Sequence, residues 1–359
     1  MDPKKDHGIR ATNREYTRYD QVDKTQRYHL AEQGAADEFD DSYVIRSCDL
    51  DDLLHGDQAA RQRFAHELGR ALSEIGFAIL VNQGTDPSLY DEISAHTYEF
   101  FASLTLEQKM RYRAQRHGSV NQGYFPIHET SDIHPDLVEG WVFCRRAFDL
   151  AGRRSNAAWQ RFWPEPRFEP VFRRLVVDNE RLIVPLMQSL LLYLDHDPHL
   201  FDALLTQPNI GLRLNHYPAL DADALASGAG RLLGHEDVGM FTLLPSPEVE
   251  GLQVLHRGTM KWVRLQAPRG SLILNTGDYV QRITNDILPS TTHRVGRPRN
   301  PALLAEPRVS FPMNVYVWED VLLEVLPGLS NPKYAPMRAL EFHTRSTSKF
   351  YGDDYAVAE

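Results

Sequence analysis

The spacing of apolar side chains predicts helices in the first half of the chain. One apolar stripe repeats at intervals of three and four residues, through Phe64, Leu68, Leu72 and Ile75. It predicts a helix from about Gln58 to Ile75, and Asp57 can cap its first turn. Similar patterns predict helices from Ser88 to Leu104 and from Val171 to Leu194, and Pro185 is expected to kink or divide the last one.

Strand-like patterns are few before residue 200 and dominate after it. The segments YVIRSCDL and GFAILVN predict two short strands in the first half. From Ile210 onward, β-prone runs alternate with turns rich in Gly, Pro, Asn and Asp: IGLRLNHY, VGMFTLL, LQVL, KWVRLQ, SLILN, YVQRIT, THRVG and RVSFPMNVYV. Many short strands separated by turns are typical of a sandwich, a jelly roll or a barrel.

These patterns divide the chain into four regions. Residues 1–42 are polar, of mixed charge and without sustained periodicity, which is typical of a flexible arm or of a segment that orders only against the body or a partner. We expect a helical region over 43–200, a β-rich core over 201–320, and a C-terminal segment of mixed helical character over 321–359. The predicted fold class is therefore α+β or mainly β.

Composition excludes several classes of function. A formal charge of −10 argues against nucleic acid as the main partner, because phosphate binding requires a basic surface. No apolar run approaches the roughly 20 residues that span a bilayer, and the N-terminal residues MDPKKDHGIR contain no apolar core of a signal peptide. Cys48 and Cys144 are the only cysteines, which favours a reducing compartment. We expect a cytoplasmic protein with no membrane partner, and the oligomeric state stays open.

The tripeptide pattern H-x-D occurs three times in the chain. His55-Gly56-Asp57 precedes a predicted helix, where capping explains the aspartate. His134-Pro135-Asp136 contains a proline, which disfavours a central strand. Only His235-Glu236-Asp237 lies among predicted strands, where positions i and i+2 share a face and can bind one ion.

Residues downstream strengthen the third match. His293 follows Asp237 by 56 positions on another predicted strand, and Arg308 and Ser310 follow His293 by 15 and 17 positions. Two histidines and one carboxylate are the ligands that hold Fe(II) on one face and leave the opposite face open. Arg308 and Ser310 can then bind a carboxylate through a charged fork and a hydroxyl.

The ordered segments resemble the isopenicillin N synthase-like branch of the Fe(II)/2-oxoglutarate-dependent dioxygenases. The segments that carry the resemblance are GFAILVNQG, EFFASLTLEQK, DLVEGWVF, RLNHYP, GHEDVGMFTLL, GLQVL, KWVRLQAPRGSLILNTGDYVQRITND, STTHRV and RVSF. The resemblance implies a double-stranded β-helix (jelly-roll) core with flanking helices. It does not account for the N-terminal arm.

The resemblance also implies roles for individual residues. It implies that His235, Asp237 and His293 bind Fe(II) and that Arg308 and Ser310 bind the distal carboxylate of 2-oxoglutarate. Asn215 and Tyr217 match the N-x-Y-P positions that help hold this co-substrate. Three protein ligands leave about three positions on a six-coordinate ion, two for a 2-oxo acid and one for O2.

The implied activity is oxidation of a small organic substrate, by hydroxylation, desaturation or cyclisation, in specialised metabolism. Candidate substrate contacts are Tyr124, Phe125, Arg213, Met240, Phe241 and Phe342. For Arg213 a structural ion pair is the stronger expectation. Three alternatives stay open: an oxidase of the isopenicillin N synthase type that needs no 2-oxoglutarate, a non-catalytic ligand-binding protein with this fold, and a zinc hydrolase.

Overall fold

The structure of the protein is a computed structural model that describes residues 22, 32, 37–127, 136–152, 157–221 and 230–351. Side chains in the last turn of the C-terminal helix, 348–351, are not part of this description. Most of the predicted arm over 1–42 lies outside the described residues, and so does His134 of the second H-x-D match.

Eight α-helices occur within the described residues. They are α1 (Leu50–Leu54), α2 (Gln58–Ile75), α3 (Ser88–Ala102), α4 (Leu106–Met110), α5 (Glu169–Tyr193), α6 (Asp202–Leu205), α7 (Asp278–Ile283) and α8 (Ala339–Tyr351). The helix predicted from Gln58 to Ile75 is confirmed with its cap, since the Asp57 side chain accepts a hydrogen bond from the backbone N–H of Ala60. The same helix ends at Gly76, whose φ of 73° is accessible to glycine at little cost.

Sixteen strands occur in the same described residues. They are β1 (Ser47–Asp49), β2 (Phe77–Val81), β3 (Gln115–His117), β4 (Val120–Phe125), β5 (Glu139–Cys144), β6 (Asn209–Tyr217), β7 (Leu232–His235), β8 (Phe241–Pro245), β9 (Leu252–His256), β10 (Lys261–Arg264), β11 (Leu272–Thr276), β12 (His293–Val295), β13 (Arg308–Ser310), β14 (Met313–Tyr316), β15 (Leu322–Leu323) and β16 (Met337–Arg338).

Two sheets form the core of the molecule. Among the described strands, ten belong to a large sheet in the order β1-β2-β11-β8-β14-β6-β5-β4-β3, with β13 paired to β6, and four belong to a small sheet in the order β10-β9-β12-β7. Strands β15 and β16 form a separate ladder. The fold is the expected jelly-roll core with flanking helices, and the described strands do not close into a barrel.

Side chains that alternate along the strands of the large sheet pack against the small sheet on one face and against the helices on the other. On β2, Phe77 and Ile79 pack in a cluster with Val254 of the small sheet, so this face of the large sheet looks inward. Ala78 and Leu80 point the other way, into the cluster that contains the long helices. Successive side chains of a strand lie on opposite faces, so each strand of the large sheet serves both layers.

The structure corrects one expectation about secondary structure and bears on two others. The run YVQRIT was predicted as a strand, but Asp278–Ile283 is a short helix in which every side chain is buried. The region 43–200 contains the two predicted strands as β1 and β2 and three further strands, β3 to β5, and β5 pairs with β6 of the next region. Helix α5 continues through Pro185, so the proline does not divide it.

Residues 37–41 of the N-terminal arm contact the small sheet, whereas Val22 belongs to the large hydrophobic core. Phe39 forms a β-bridge with Trp262, and Asp37 makes a 2.8 Å ion pair with Arg294 that is almost entirely buried. The Arg294 guanidinium lies 3.8 Å from the Trp262 ring centroid. Among the described residues, none of the helices has the length and apolar character needed to cross a membrane.

Candidate metal centre and co-substrate site

The two sheets bring His235, Asp237 and His293 together at the rim of the small sheet. His235 is the last residue of β7 and pairs in register with His293 on β12. Asp237 lies two residues beyond the end of β7. The expectation that His235 and Asp237 share a strand face is therefore wrong in detail, because the backbone leaves the strand between them and its loop turns the carboxylate towards the imidazoles.

The ligand atoms of the three residues form a compact triangle. The Nε2 atoms of His235 and His293 each lie 3.9 Å from Oδ1 of Asp237. The two imidazole rings are 4.3 Å apart between centroids. Within the described part of the chain, this is the one group of three or more His, Cys, Asp or Glu side chains whose ligand atoms converge closely enough to hold a metal ion.

Backbone carbonyls fix the orientation of both imidazoles. Nδ1 of His235 lies 2.8 Å from the carbonyl oxygen of Leu233, and Nδ1 of His293 lies 3.1 Å from that of Thr291. Since a carbonyl only accepts, each Nδ1 carries the hydrogen and each Nε2 keeps a free lone pair. Hydrogen bonds of this kind hold the rings of metal-binding histidines in position.

The Asp237 carboxylate is held by two donors on its other oxygen. The hydroxyl of Thr242 donates to Oδ2 at 2.6 Å, and the amide of Asn275 donates to the same atom at 2.8 Å. Burial tends to raise the pKa of Asp237, but the nearby imidazoles and these two hydrogen bonds leave that pKa below its ordinary value. Oδ1 is thus left to face the two imidazoles.

Burial lowers the pKa of His293 to about 4. The centre therefore presents a neutral His293 and an ionised Asp237 at neutral pH, which are the protonation states that metal binding requires.

The donor set fits a divalent metal ion. Imidazole nitrogen and carboxylate oxygen lie about 2.1 Å from a first-row ion such as zinc, so one ion reaches two atoms up to about 4.2 Å apart. The two separations between imidazole nitrogen and carboxylate oxygen, 3.9 Å each, satisfy this limit, and all three ligand atoms lie within 4.8 Å of one another. A set of two imidazoles and one carboxylate on one side, with open positions opposite, is the arrangement of Fe(II) oxygenases.

A second set of predicted residues lies on paired strands in the large sheet. Arg308 pairs in register with Tyr217, and Ser310 pairs with Asn215. The amide of Asn215 donates to the Ser310 hydroxyl at 3.3 Å, and the Arg308 guanidinium lies 4.9 Å from the centroid of the Tyr217 ring. The four side chains expected to hold 2-oxoglutarate are thus neighbours.

Arg308 has the properties of an anion-binding residue. It is 1% exposed, its Nε donates to the carbonyl of Val249 at 3.0 Å, and its Nη1 is buried without a hydrogen-bond partner among the described residues. Burial lowers the pKa of Arg308, yet an arginine stays protonated. A buried donor without a partner is costly, and a bound carboxylate would satisfy it.

One cavity of about 230 Å³ connects the two groups. All seven residues predicted to bind iron or 2-oxoglutarate line it, and Arg213 lines it as well. Side chains from both sheets complete the wall, together with His343 and Thr347 of α8. The large sheet therefore contributes the side of the cavity that contains Arg308 and Ser310, and the small sheet contributes the side that contains His235 and His293.

Five of the six predicted substrate contacts are corrected by the structure. Tyr124, Phe125, Met240, Phe241 and Phe342 are at most 2% exposed and belong to the large hydrophobic core, not to the wall of this cavity. Their aromatic or sulfur-containing side chains belong to this core, so size and apolar character identified core positions. Arg213 alone of the six lies on the wall, and no ion pair of Arg213 occurs among the described residues.

Several wall residues were missed by sequence reasoning. Thr242 and Asn275 hold Asp237, and the ring of Phe77 lies edge-on to His293 at 5.2 Å. Ser119, Asn121 and His343 line the far part of the cavity. The segment NTGD that contains Asn275 indicated only a turn, and nothing in its local pattern pointed to the metal centre.

Comparisons with known proteins agree with this arrangement. Residues 45–166 match the family model described as the non-haem dioxygenase in morphine synthesis N-terminal region, and residues 208–313 match that of the 2OG-Fe(II) oxygenase superfamily. The 2-oxoglutarate-dependent dioxygenase frbA of a Dothideomycetidae species is 30% identical over 273 residues, covering 71% of this chain and 79% of that protein. The chain belongs to the 2OG-Fe(II) oxygenase superfamily.

Solved structures show the same fold. A 2OG-Fe(II) oxygenase family protein from Caulobacter crescentus is 29% identical, with a TM-score of 0.70 over 86% of this chain and 99% of that chain. The T7H protein of Neurospora crassa, in complex with alpha-KG and thymine, is 23% identical, with a TM-score of 0.71 over 85% of this chain and 96% of that chain. The oxygenase is thus a dioxygenase whose cofactors are Fe(II), 2-oxoglutarate and O2.

Proposed function

We propose that His235, Asp237 and His293 hold the Fe(II) of this oxygenase. The observation that carries the proposal is the convergence of their three ligand atoms on the wall of a cavity that also contains the buried, partly unpartnered guanidinium of Arg308. The three ligand side chains suit a metal ion, and the Arg308 guanidinium suits a carboxylate. Because both groups face one cavity, they suit a metal ion and a dicarboxylate bound together.

We propose further that Arg308 and Ser310 bind the distal carboxylate of 2-oxoglutarate. The Nη1 atom of Arg308 and the hydroxyl of Ser310 lie on one strand face, two residues apart, and both reach the cavity. Asn215 donates to Ser310 and thereby orients its hydroxyl, while Tyr217 supports the guanidinium with its ring. These four residues fix one end of the co-substrate.

The remaining cavity is proposed to take a small organic substrate. When bound, Fe(II) would use O2 to oxidise C–H bonds, with one oxygen atom going to 2-oxoglutarate as it is converted to succinate and CO2. The chain orients the reactants and limits the access of water. The apolar wall residues Leu233, Leu244 and Leu252 are suited to excluding water. Thymine in the Neurospora T7H complex is a molecule of this size class. Hydroxylation, desaturation or cyclisation then depends on which bond the cavity presents.

The three described regions of the chain contribute differently to the site. We propose that 201–320 supplies the residues that hold iron and 2-oxoglutarate, and that 43–200 and 321–359 enclose them. Val120 and Val142 from the first region and His343 from the last line the same cavity.

Succinate formation tests the proposed metal centre. Purified protein with Fe(II), ascorbate, 2-oxoglutarate and O2 should form succinate slowly even without the primary substrate, and Asp237→Ala should abolish this reaction. Asp57→Ala is the matched control, because Asp57 belongs to another H-x-D triplet and caps α2. It should cost about 1 kcal/mol of stability and leave succinate formation intact. Equal succinate formation by Asp237→Ala and the wild type would refute the assignment.

A further inference from the structure

Arg213 lies on the cavity wall beside the proposed 2-oxoglutarate residues. It alternates along β6 with Asn215 and Tyr217, and all three side chains reach the cavity. The intervening Leu212 and Leu214 point into the hydrophobic core. The strand thus presents a row of polar side chains to the cavity, with Arg213 at the end away from Arg308.

The contacts of Arg213 leave part of its guanidinium free. Its Nε donates to Oδ1 of Asn215 at 2.7 Å, which fixes the plane of the group. Its Nη2 is buried without a hydrogen-bond partner among the described residues. The Phe125 ring lies 5.3 Å from the guanidinium carbon, and a Cβ on Gly140 would lie 3.0 Å from Nη2. Phe125 and Gly140 therefore hold the group against the sheet.

No carboxylate of the described residues compensates this positive charge. The acidic side chains on the wall are Asp136, Glu236 and Asp237, and none forms an ion pair with Arg213. Asp136 accepts a hydrogen bond from the backbone of Leu233, and Asp237 belongs to the metal centre. An unpaired cation in a largely apolar cavity is costly, and an anionic ligand offsets that cost.

We propose that Arg213 binds an anionic carboxylate of the primary substrate, so that this oxygenase acts on small organic acids with an apolar body. This inference rests on the proposed function, which assigns the distal carboxylate of 2-oxoglutarate to Arg308 and Ser310. The alternative partner of Arg213 is the second carboxylate of 2-oxoglutarate. If Arg213 binds the primary substrate, its replacement weakens binding of that substrate; if it binds the co-substrate, its replacement weakens binding of 2-oxoglutarate.

Binding of matched acids and amides tests the inference. The holoprotein, loaded anaerobically with Fe(II) and 2-oxoglutarate, is titrated calorimetrically with phenylacetate, 3-phenylpropionate and cyclohexylacetate, each against its primary amide. At least one acid should bind 10-fold or more tightly than its amide, since hydrogen bonds to charged groups contribute about 10- to 100-fold. Arg213→Met should reduce this ratio to below threefold while the Kd of 2-oxoglutarate changes by less than threefold.

A conservative variant separates charge from structure. Arg213→Lys keeps the charge and should keep an acid-to-amide preference of at least threefold, which a purely structural role would not produce. Equal binding of acids and amides by the wild type overturns the inference. A loss of 2-oxoglutarate affinity of 30-fold or more in Arg213→Met also overturns it and assigns Arg213 to the co-substrate. If the wild type binds no 2-oxoglutarate with Fe(II), the proposed function itself fails.

Discussion

Replacing Arg308 by methionine should separate the stability of the protein from its affinity for 2-oxoglutarate. The substitution removes a buried charge that has one hydrogen bond to the Val249 carbonyl and a ring contact with Tyr217. It keeps an unbranched side chain of similar length. Among the described residues no carboxylate pairs with Arg308, so the change does not leave an opposite charge unpaired.

The effect on the ligand-free protein should be small. Loss of the hydrogen bond and of the ring contact costs about 1 to 3 kcal/mol together. Removing a desolvated, unpaired cation stabilises the folded protein by a similar free energy, because apolar replacements of buried charges are often neutral or stabilising by about 1–4 kcal/mol. We expect the free energy of unfolding of Arg308→Met without ligand to lie within about 1 kcal/mol of the wild type.

The effect on ligand binding should be large. Two hydrogen bonds from Arg308 to a carboxylate contribute at least about 3 kcal/mol, which is more than 100-fold in Kd. With 2-oxoglutarate at 100 times the wild-type Kd, the wild type gains about 2.7 kcal/mol of stability. At the same concentration the variant gains at most about 0.4 kcal/mol, so the two should differ by more than 2 kcal/mol.

Urea unfolding with Mn(II), with and without 2-oxoglutarate, measures both quantities. Arg231→Met is the matched control, because Arg231 is also 1% exposed but does not line the cavity. Burial and the nearby charge of Arg308 both lower the pKa of Arg231, so the two arginines are neighbours. Arg231→Met should keep the full gain with 2-oxoglutarate. The reasoning is refuted if Arg308→Met keeps a gain above 2 kcal/mol, or if Arg231→Met loses it equally.

Three further changes test other parts of the structure. Thr242→Val removes one hydrogen bond to Asp237 and should weaken Fe(II) affinity about 10- to 100-fold in a competition titration, whereas unchanged affinity would contradict that support. Burial lowers the pKa of His343 to about 3, so the unfolded chain binds a proton before the folded chain does, and the free energy of unfolding falls as the pH drops below about 6.5. His343→Leu should reduce the slope of the free energy of unfolding against pH by up to about 1.4 kcal/mol per pH unit, measured by urea unfolding, and an unchanged slope would contradict this account. Asp37→Asn removes the carboxylate charge from the buried ion pair with Arg294 and should lower the free energy of unfolding by about 3–5 kcal/mol, while a loss below 1 kcal/mol would show that the pair contributes little.

Local information was sufficient where an element carries its own signals. Helix α2 begins after the capping Asp57, carries one apolar stripe and ends at Gly76, and its bounds match the prediction. The strand after it was also predicted, because Phe77–Val81 is a short run of apolar residues bounded by breakers. Such features depend on residues within a few positions of each other, so the sequence displays them directly.

Helix α7 shows where local patterns are insufficient. All six of its side chains are buried, so neither the strand period nor the helix period is visible. Its start is fixed by distant backbone: the N–H of Asp278 donates to the carbonyl of Asp237 at 2.8 Å, and the N–H of Gly277 donates to that of Met240 at 2.9 Å. Contacts with the loop that contains Asp237 therefore support this helix, and tertiary contacts outweigh β propensity.

The candidate site was predictable in its chemistry but not in its walls. The three candidate metal ligands and the pair Arg308 and Ser310 were predicted from residue type and order along the chain, and all five line one cavity. Asn275 could not be assigned, because its contact with Asp237 depends on the pairing of β11 with β8. The aromatic candidates do not line the cavity, because the packing of strands and helices decides which side chains face it, and His343 lines it through the position of α8.

Anaerobic titration with Fe(II), followed by visible absorption, tests the central claim most directly. In the presence of 2-oxoglutarate, the wild type should develop a metal-to-ligand charge-transfer band that saturates at one Fe(II) per chain. The band should be absent without 2-oxoglutarate and absent in Asp237→Ala, because it requires 2-oxoglutarate bound to an Fe(II) ion that Asp237 helps to hold. A band that persists unchanged in Asp237→Ala, or no band in the wild type, would contradict the assignment of the iron centre.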